Sequence, residues 1–169
     1  MAIEGFAQFV AVRYAELLST AYLLTGSPYA AEDLVQTCLL KVMPRWEHVN
    51  DPISYLRRVM VNQRTSRWRG LRRELLSAQP PDSRVPDPAG GLADRTTLVA
   101  ALARLPKRMR AVLVLRYWED LSEVETADLL GCSVGTVKSQ ASRGLARLRT
   151  LLSEPVETAE VQTVRRAGQ

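Results

Sequence analysis

Residues 77–93, which begin SAQPPDSRVPDPAGG, hold four prolines and two glycines and offer almost nothing to bury. A stretch of that composition cannot join a core and reads as a linker. It divides the 169-residue chain into residues 1–76 and a second half starting at 94, each limited to a modest core. In both halves apolar residues recur at three- and four-residue steps, and strand signals are nearly absent. The expected fold is therefore all-α, two small helical domains joined by a flexible linker. The last segment, 153–169, SEPVETAEVQTVRRAGQ, has no usable period and reads as a disordered tail.

Local signals place the helices. Phe6, Val10, Leu17, Ala21 and Leu24 mark one face of a first helix, which Gly26 ends. Ser27 is an expected N-cap with Pro28 at the first helical position, and Glu32 and Asp33 lie near the positive end of that helix. Val35, Cys38, Leu39, Val42 and Trp46 continue an apolar stripe that Pro44 should kink or end. Asp51-Pro52 repeats the cap-plus-proline signal before Ile53, Leu56, Val59 and Met60. Helical periodicity returns near 94 and lasts to about 152, broken by Pro106 and Gly131.

The segment LSEVETADLLGCSVGTVKSQASRGLARLR, ending at Arg149, has the layout of a DNA-reading helix-turn-helix. Ser122 caps a short helix with Val124, Ala127 and Leu130 expected inward, Gly131 ends it, and Ser133 caps the next. On that second helix Val134, Val137, Ala141, Leu145, Leu148 and Leu152 form the stripe expected to be buried, and Gly144 lies toward it. At about 100° per residue, the other side carries Thr136, Ser139, Gln140, Arg143 and Arg147, flanked by Lys138 and Arg149. Short hydroxyls and an amide near a helix N-terminus can approach base edges, and arginines can grip phosphates or guanine. Gly135 keeps the first turn slim. The plain alternative is a solvated basic face on a bundle helix.

Charge supports a polyanionic partner. The formal net charge is +5, and nearly all the positive charge is arginine, with lysine only at 41, 107 and 138. Arginine suits bidentate phosphate contacts, and it equally suits a GC-rich genome. Residues 57–73, RRVMVNQRTSRWRGLRR, contain seven arginines and no acid, with Trp68 inside the run and Tyr55 and Trp46 upstream. Arginines with aromatic faces suit single-stranded or opened DNA, whereas Trp46 and Trp68 could instead anchor the core. Glu32, Asp33 and Gln36 form an acidic patch better suited to a protein partner than to DNA, with a simple helix-dipole contact as the alternative.

Other classes fare poorly. Cys38 and Cys132 have no CxxC or CxxH company and His48 is the lone histidine, so neither a metal site nor a cofactor is expected. No P-loop, dinucleotide fingerprint or paired catalytic constellation is present, so the chain is not expected to be an enzyme. The start MAIEGFAQFV has no basic leader, and no apolar run reaches a membrane-spanning length, so a cytoplasmic, nucleoid-associated protein without membrane insertion is expected.

Taken in order, AYLLTGSPYAAEDLVQTCLLKV, ISYLRRVMVNQRTSRWR, the proline-rich linker and ALARLPKRMRAVLVLRYWEDLSEVETADLLGCSVGTVKSQASRGLARLR resemble an RNA polymerase sigma factor of the extracytoplasmic-function group, within the sigma-70 superfamily. The resemblance covers roughly residues 6 to 152. It implies a region-two domain over 1–76, a linker over 77–93, a region-four domain over 94–152 and a tail over 153–169. It implies an alternative sigma factor that binds core RNA polymerase, recognises the −35 and −10 promoter elements and melts DNA. By position, Glu32, Asp33 and Gln36 would face the β′ clamp helices, and the apolar surface of the second domain would dock on the β flap. WEHVND, with Trp46, His48, Asn50 and Asp51, corresponds to the loop that pockets a flipped base, while Tyr55, Arg58, Asn62, Arg64 and Arg67 would line the −10 strand. Ser133, Gly135, Thr136, Lys138, Ser139, Gln140, Ser142, Arg143 and Arg147 would meet the −35 element. An anti-sigma factor is a partner the resemblance admits. The chain departs from the pattern in lacking a short leading helix, in Pro44, in a short loop around His48, and in Ser142 and Leu145 where bulkier or basic residues often stand. The rival readings are a stand-alone helix-turn-helix regulator of duplex operators and a protein-held adaptor with non-specific nucleic-acid affinity.

Overall fold

The computed structural model describes the backbone of residues 2–74 and 92–153, and the side chains of 4–64 and 95–153. The linker core at 75–91 and the tail beyond 153 lie outside the described residues. Among those described the chain is helical and without strands: α1 (Ala2–Thr25), α2 (Pro28–Val42), a 3₁₀ turn (Met43–His48), α3 (Pro52–Glu74), α4 (Leu92–Ala103), α5 (Lys107–Leu113), a π-helical turn (Val114–Trp118), α6 (Glu123–Leu130) and α7 (Val134–Ser153). α4 thus begins two residues before 94, and α7 includes Ser153, the first residue assigned to the tail.

Caps and breakers set these limits. The Ser27 hydroxyl accepts from the Ala30 amide, with Pro28 as the first helical residue. Asp51 accepts from the Ser54 amide at 3.1 Å and starts α3. α2 stops at Val42, where Pro44 removes a backbone donor, and the chain tightens into the 3₁₀ turn rather than continuing.

In the first half α1 lays Leu17, Ala21 and Leu24 against Ala31, Leu34, Val35, Cys38 and Val42 of α2, and Leu56, Met60 and Val61 of α3 close the cluster. Burying each such leucine or valine contributes about 1.5–3 kcal/mol. Full burial pushes the Cys38 thiol up to about 12, so it stays protonated and acts as a small apolar residue. In the second half the buried run from Met109 to Leu115 is continuous, making α5 and its π-turn a central post against which α6 and α7 pack, while α4 packs on α7 and α1.

Two expected inward positions face outward. Val124 is 58% exposed, and Thr126, Ala127 and Leu129 carry the inner side of α6 instead. Leu152 is exposed and Leu151 takes its place against the core. Both halves share one apolar cluster, since α4 packs on α1 and α6 on α3.

Gly144 lets α7 approach α5. A Cβ there would lie 2.8 Å from Met109 Cγ and 3.1 Å from Leu113, whereas one on Gly135 would meet nothing closer than the Ser133 hydroxyl at 3.8 Å. Gly144 sits in the interior of α7, where alanine gains the most helix propensity, and Gly135 in its first turn, where it gains less, so a deficit at 144 reports overpacking. Gly144→Ala should therefore be less stable than Gly135→Ala by about 1–3 kcal/mol in urea unfolding.

Candidate nucleic-acid interface

Two separate surfaces carry the expected contacts. The first is built on the α6–α7 turn. Ser122 and Glu125 form a reciprocal capping box: the Glu125 amide donates to the Ser122 hydroxyl at 3.1 Å, and the Ser122 amide donates to the Glu125 carboxylate at 2.7 Å. Those bonds hold the exposed Glu125 carboxyl below its usual range. Gly131 then takes the left-handed conformation (φ 60°) that reverses the chain.

Ser133 opens α7 by accepting from the Thr136 amide at 3.1 Å, and its hydroxyl also pairs with that of Thr136 at 2.9 Å. The Ser139 hydroxyl donates to the Thr136 carbonyl. Thus three hydroxyls of the predicted face help hold the helix start, which fixes the first turn before any ligand arrives. Thr136, Ser139 and Gln140 are half-buried, while Ser133, Gly135, Lys138, Ser142, Arg143 and Arg147 are exposed on α7 or its cap. Lys138 leans toward Glu123 at 3.6 Å. That exposed pair is weak and leaves the ammonium exchangeable with a phosphate.

The second surface is an open cleft of about 550 Å³ lined by Arg45, His48, Val49, Asn50, Asp51, Ser54, Tyr55 and Arg58. That volume falls in the range of sites for small organic ligands. The 3₁₀ turn supplies one wall and the first two turns of α3 the other. Tyr55 offers a half-buried ring and Arg45 and Arg58 offer exposed cations. The Ser54 hydrogen bonds keep Asp51 ionised below its usual range, so the mouth carries both signs of charge.

Five of the expected residues meet in this cleft: His48, Asn50, Asp51, Tyr55 and Arg58. Trp46 does not line it. Its indole packs edge-on against Phe6 at 5.2 Å and tilted against Phe9 at 4.9 Å, as an anchor of the loop on α1. Asn62 is exposed farther along α3, and Arg64 lines a small recess beside α2 together with Asp33 and Gln63. The side chains of Arg67 and Trp68 lie outside the described residues. Val49 belongs to the expected WEHVND segment, whereas Arg45 and Ser54 were not anticipated from the sequence, because a helical phase cannot be carried across the 3₁₀ turn that Pro44 starts. Glu32, Asp33 and Gln36 are exposed on α2, and none of them lines the cleft.

Family models described as "Sigma-70 region 2" and "Sigma-70, region 4" match residues 10–74 and 95–148. The RNA polymerase sigma-E factor of Streptomyces antibioticus is 44% identical over 160 residues, covering 92% of this chain and 87% of that protein. The chain belongs to the extracytoplasmic-function sigma factors of the sigma-70 family. The sigma-E factor of Streptomyces coelicolor is also 44% identical, over 85% of this chain and 84% of its own length. The sigma factor SigL of Mycobacterium tuberculosis is 31% identical over 78% and 79%. Among solved structures, the sigma factor RpoE of Bartonella quintana, crystallised with the anti-sigma factor NepR, superposes with a TM-score of 0.73 at 26% identity, over 90% of this chain and 99% of that one. This sigma factor is therefore an alternative one, which directs transcription initiation.

The turn before α7 depends on a residue without a Cβ. A Gly131→Ala side chain meets no neighbour within 4 Å, so its cost is purely that of the left-handed backbone. Gly131→Ala should lose about 1–2 kcal/mol of thermal stability, and Gly131→Asn, which tolerates this conformation, markedly less.

Proposed function

We propose that the sigma factor divides promoter recognition between its halves: a region-two domain over 1–76, a linker over 77–93, a region-four domain over 94–152 and a short tail over 153–169. α7 enters the major groove of the −35 element with Thr136, Ser139, Gln140 and Arg143 toward base edges, and Lys138 and Arg147 on phosphates. The cleft on region two takes an unstacked base of the −10 strand beside Tyr55, with Arg58, Asn62 and neighbouring arginines along its backbone. The observation that carries this reading is the presence in one chain of two unlike surfaces. One is a rigidly capped basic helix suited to paired bases, and the other an open aromatic and cationic cleft suited to unpaired ones.

Core polymerase would hold the protein through Glu32, Asp33 and Gln36 on the β′ clamp helices. The exposed Tyr117, Trp118 and Val124 offer the flap an apolar surface. An anti-sigma factor is a further partner to test, because the Bartonella relative is complexed with one. The protein works by binding alone, in the cytoplasm at the nucleoid. No helix among the described residues is long and apolar enough to cross a membrane. A stand-alone operator-binding regulator would leave the first half and its cleft without a use.

Run-off transcription with core polymerase on a genomic fragment library tests the proposal, which expects discrete start sites that bare core does not use. Arg143→Ala should weaken binding to such a promoter by about 1–3 kcal/mol if it reads a base. Indifference to that change would place the side chain in solvent. Asp33→Arg should lower recovery of the protein with core polymerase, and undiminished co-purification would remove the clamp assignment.

A further inference from the structure

The two walls of the region-two cleft are secured by different means. The α3 wall starts on the Asp51 cap, where the Ser54 amide donates to the carboxylate at 3.1 Å, and Leu56 and Met60 behind it are fully buried. The opposite wall is the 3₁₀ turn Met43–His48, which contains no buried residue and starts without a side-chain cap. Hydrogen bonds of the 3₁₀ kind have poorer geometry than those of an α-helix. At the end of the turn the Val49 amide donates to the Trp46 carbonyl at 3.2 Å. Backbone alone therefore holds this wall weakly.

A side chain adds what the backbone lacks. Trp46 is the half-buried member of the turn, and it packs on the main apolar cluster. Its indole meets two rings of α1, edge-on to Phe6 at 5.2 Å and tilted on Phe9 at 4.9 Å. A Cβ on Gly5 would stand 3.6 Å from the indole nitrogen, so the first turns of α1 lie directly against the ring. Phe9 belongs to the same apolar cluster as Trp46, whereas Phe6 meets the indole from outside it. Arg45 precedes Trp46 and His48 follows two residues later, and both line the cleft. Any shift of the indole carries them with it.

We propose that Trp46 is a positioning residue for base capture: Phe6 and Phe9 hold its indole, and the indole holds the cleft wall that carries Arg45 and His48. This rests on the promoter reading above. The start of α1 thereby belongs to the strand-capturing apparatus, although no residue of α1 lines the cleft. Trp46 touches no base and acts through its neighbours. An indole has only two side-chain torsions, so fixing it costs little entropy, and a binding site has to be held to within about 0.5 Å by such support. A wall docked in only a fraction of the molecules lowers the apparent affinity for the strand by that fraction. Glu32, Asp33 and Gln36 on α2 and the reading face of α7 lie on other elements, so the loss is confined to strand capture.

The test uses the full chain, and hydrogen exchange first reads the wall without DNA. Phe6→Ala removes one ring contact and should speed exchange of amides 45–49 about fivefold. Phe6→Ala combined with Phe9→Ala should speed it by more than about tenfold, as should Trp46→Ala. Trp46→Phe, which keeps a ring against Phe9, should stay within about twofold of the parent. In Phe6→Ala, amides 54–62 of α3 should keep their parental rates. Holoenzyme is then titrated with a short single strand copied from the non-template −10 segment of a promoter found by run-off transcription. With the wall docked in about a tenth of the molecules, the double variant and Trp46→Ala should each need about tenfold more strand for half-saturation. Binding to a −35 duplex fragment should not change. A Trp46 that stacked on the base itself would leave the double variant, whose indole is intact, at the parental value. That result overturns the proposal, as does unchanged exchange in Phe6→Ala, equal quickening of α3, weakened duplex binding or a Trp46→Phe chain as impaired as Trp46→Ala. A parental holoenzyme that binds no such strand, or gives no run-off product, instead sinks the promoter reading and the base-capture role with it, while the exchange rates still decide whether the rings hold the wall.

Discussion

The arrangement of the helices depends on one buried guanidinium. Arg110, in the central post of the second half, donates to the Leu24 carbonyl at 3.0 Å, to the Leu105 carbonyl at 3.3 Å and to the Ala103 carbonyl. Leu24 and Ala103 close α1 and α4, so their carbonyls have no partner within their own helices. A cation at two helix C-termini also complements both dipoles. Each of these acceptors, if left buried and unsatisfied, would cost about 1–3 kcal/mol. Arg110 thus fixes where the first half ends relative to where the second begins. Even pressed down to about 10 it remains charged at neutral pH.

The two functional surfaces are built on different elements. The cleft is made by the 3₁₀ turn and α3, and the capped helix start by the α6–α7 turn. Unstacking a base costs a few kcal/mol, an aromatic stacking partner returns about 1–3 kcal/mol per base, and arginine–phosphate contacts add a salt-sensitive remainder. Tethering raises the effective concentration of one surface once the other is bound.

Much of this was legible in the sequence where the signal is local. Ser27-Pro28, Asp51-Pro52, the Ser122 cap, Gly131 and Ser133 each act on backbone groups within four residues, and each marks a real helix limit. Gly144 was legible from its place on the α7 stripe. Failures came where phase or distance matters. α6 has only two turns, too few to fix which side is inward, so Val124 and Thr126 exchange places. Leu152 sits at the end of α7, where the accumulated phase hands its place to Leu151. Trp46 looked equally suited to stacking or packing, and only the proximity of Phe6 and Phe9 decides for packing. Arg57 with Glu119, and Arg110 with Leu24, are pairings across the linker that no spacing rule encodes.

Site-specific photocrosslinking of the holoenzyme on a promoter reaches the central claim most directly, with a photoreactive residue placed at Gln140 in one sample and at Tyr55 in another. The account predicts that position 140 marks paired bases of the upstream element and position 55 marks an unpaired base of the downstream non-template strand. Marks from both positions on the same element, or from position 55 on closed duplex only, would contradict it.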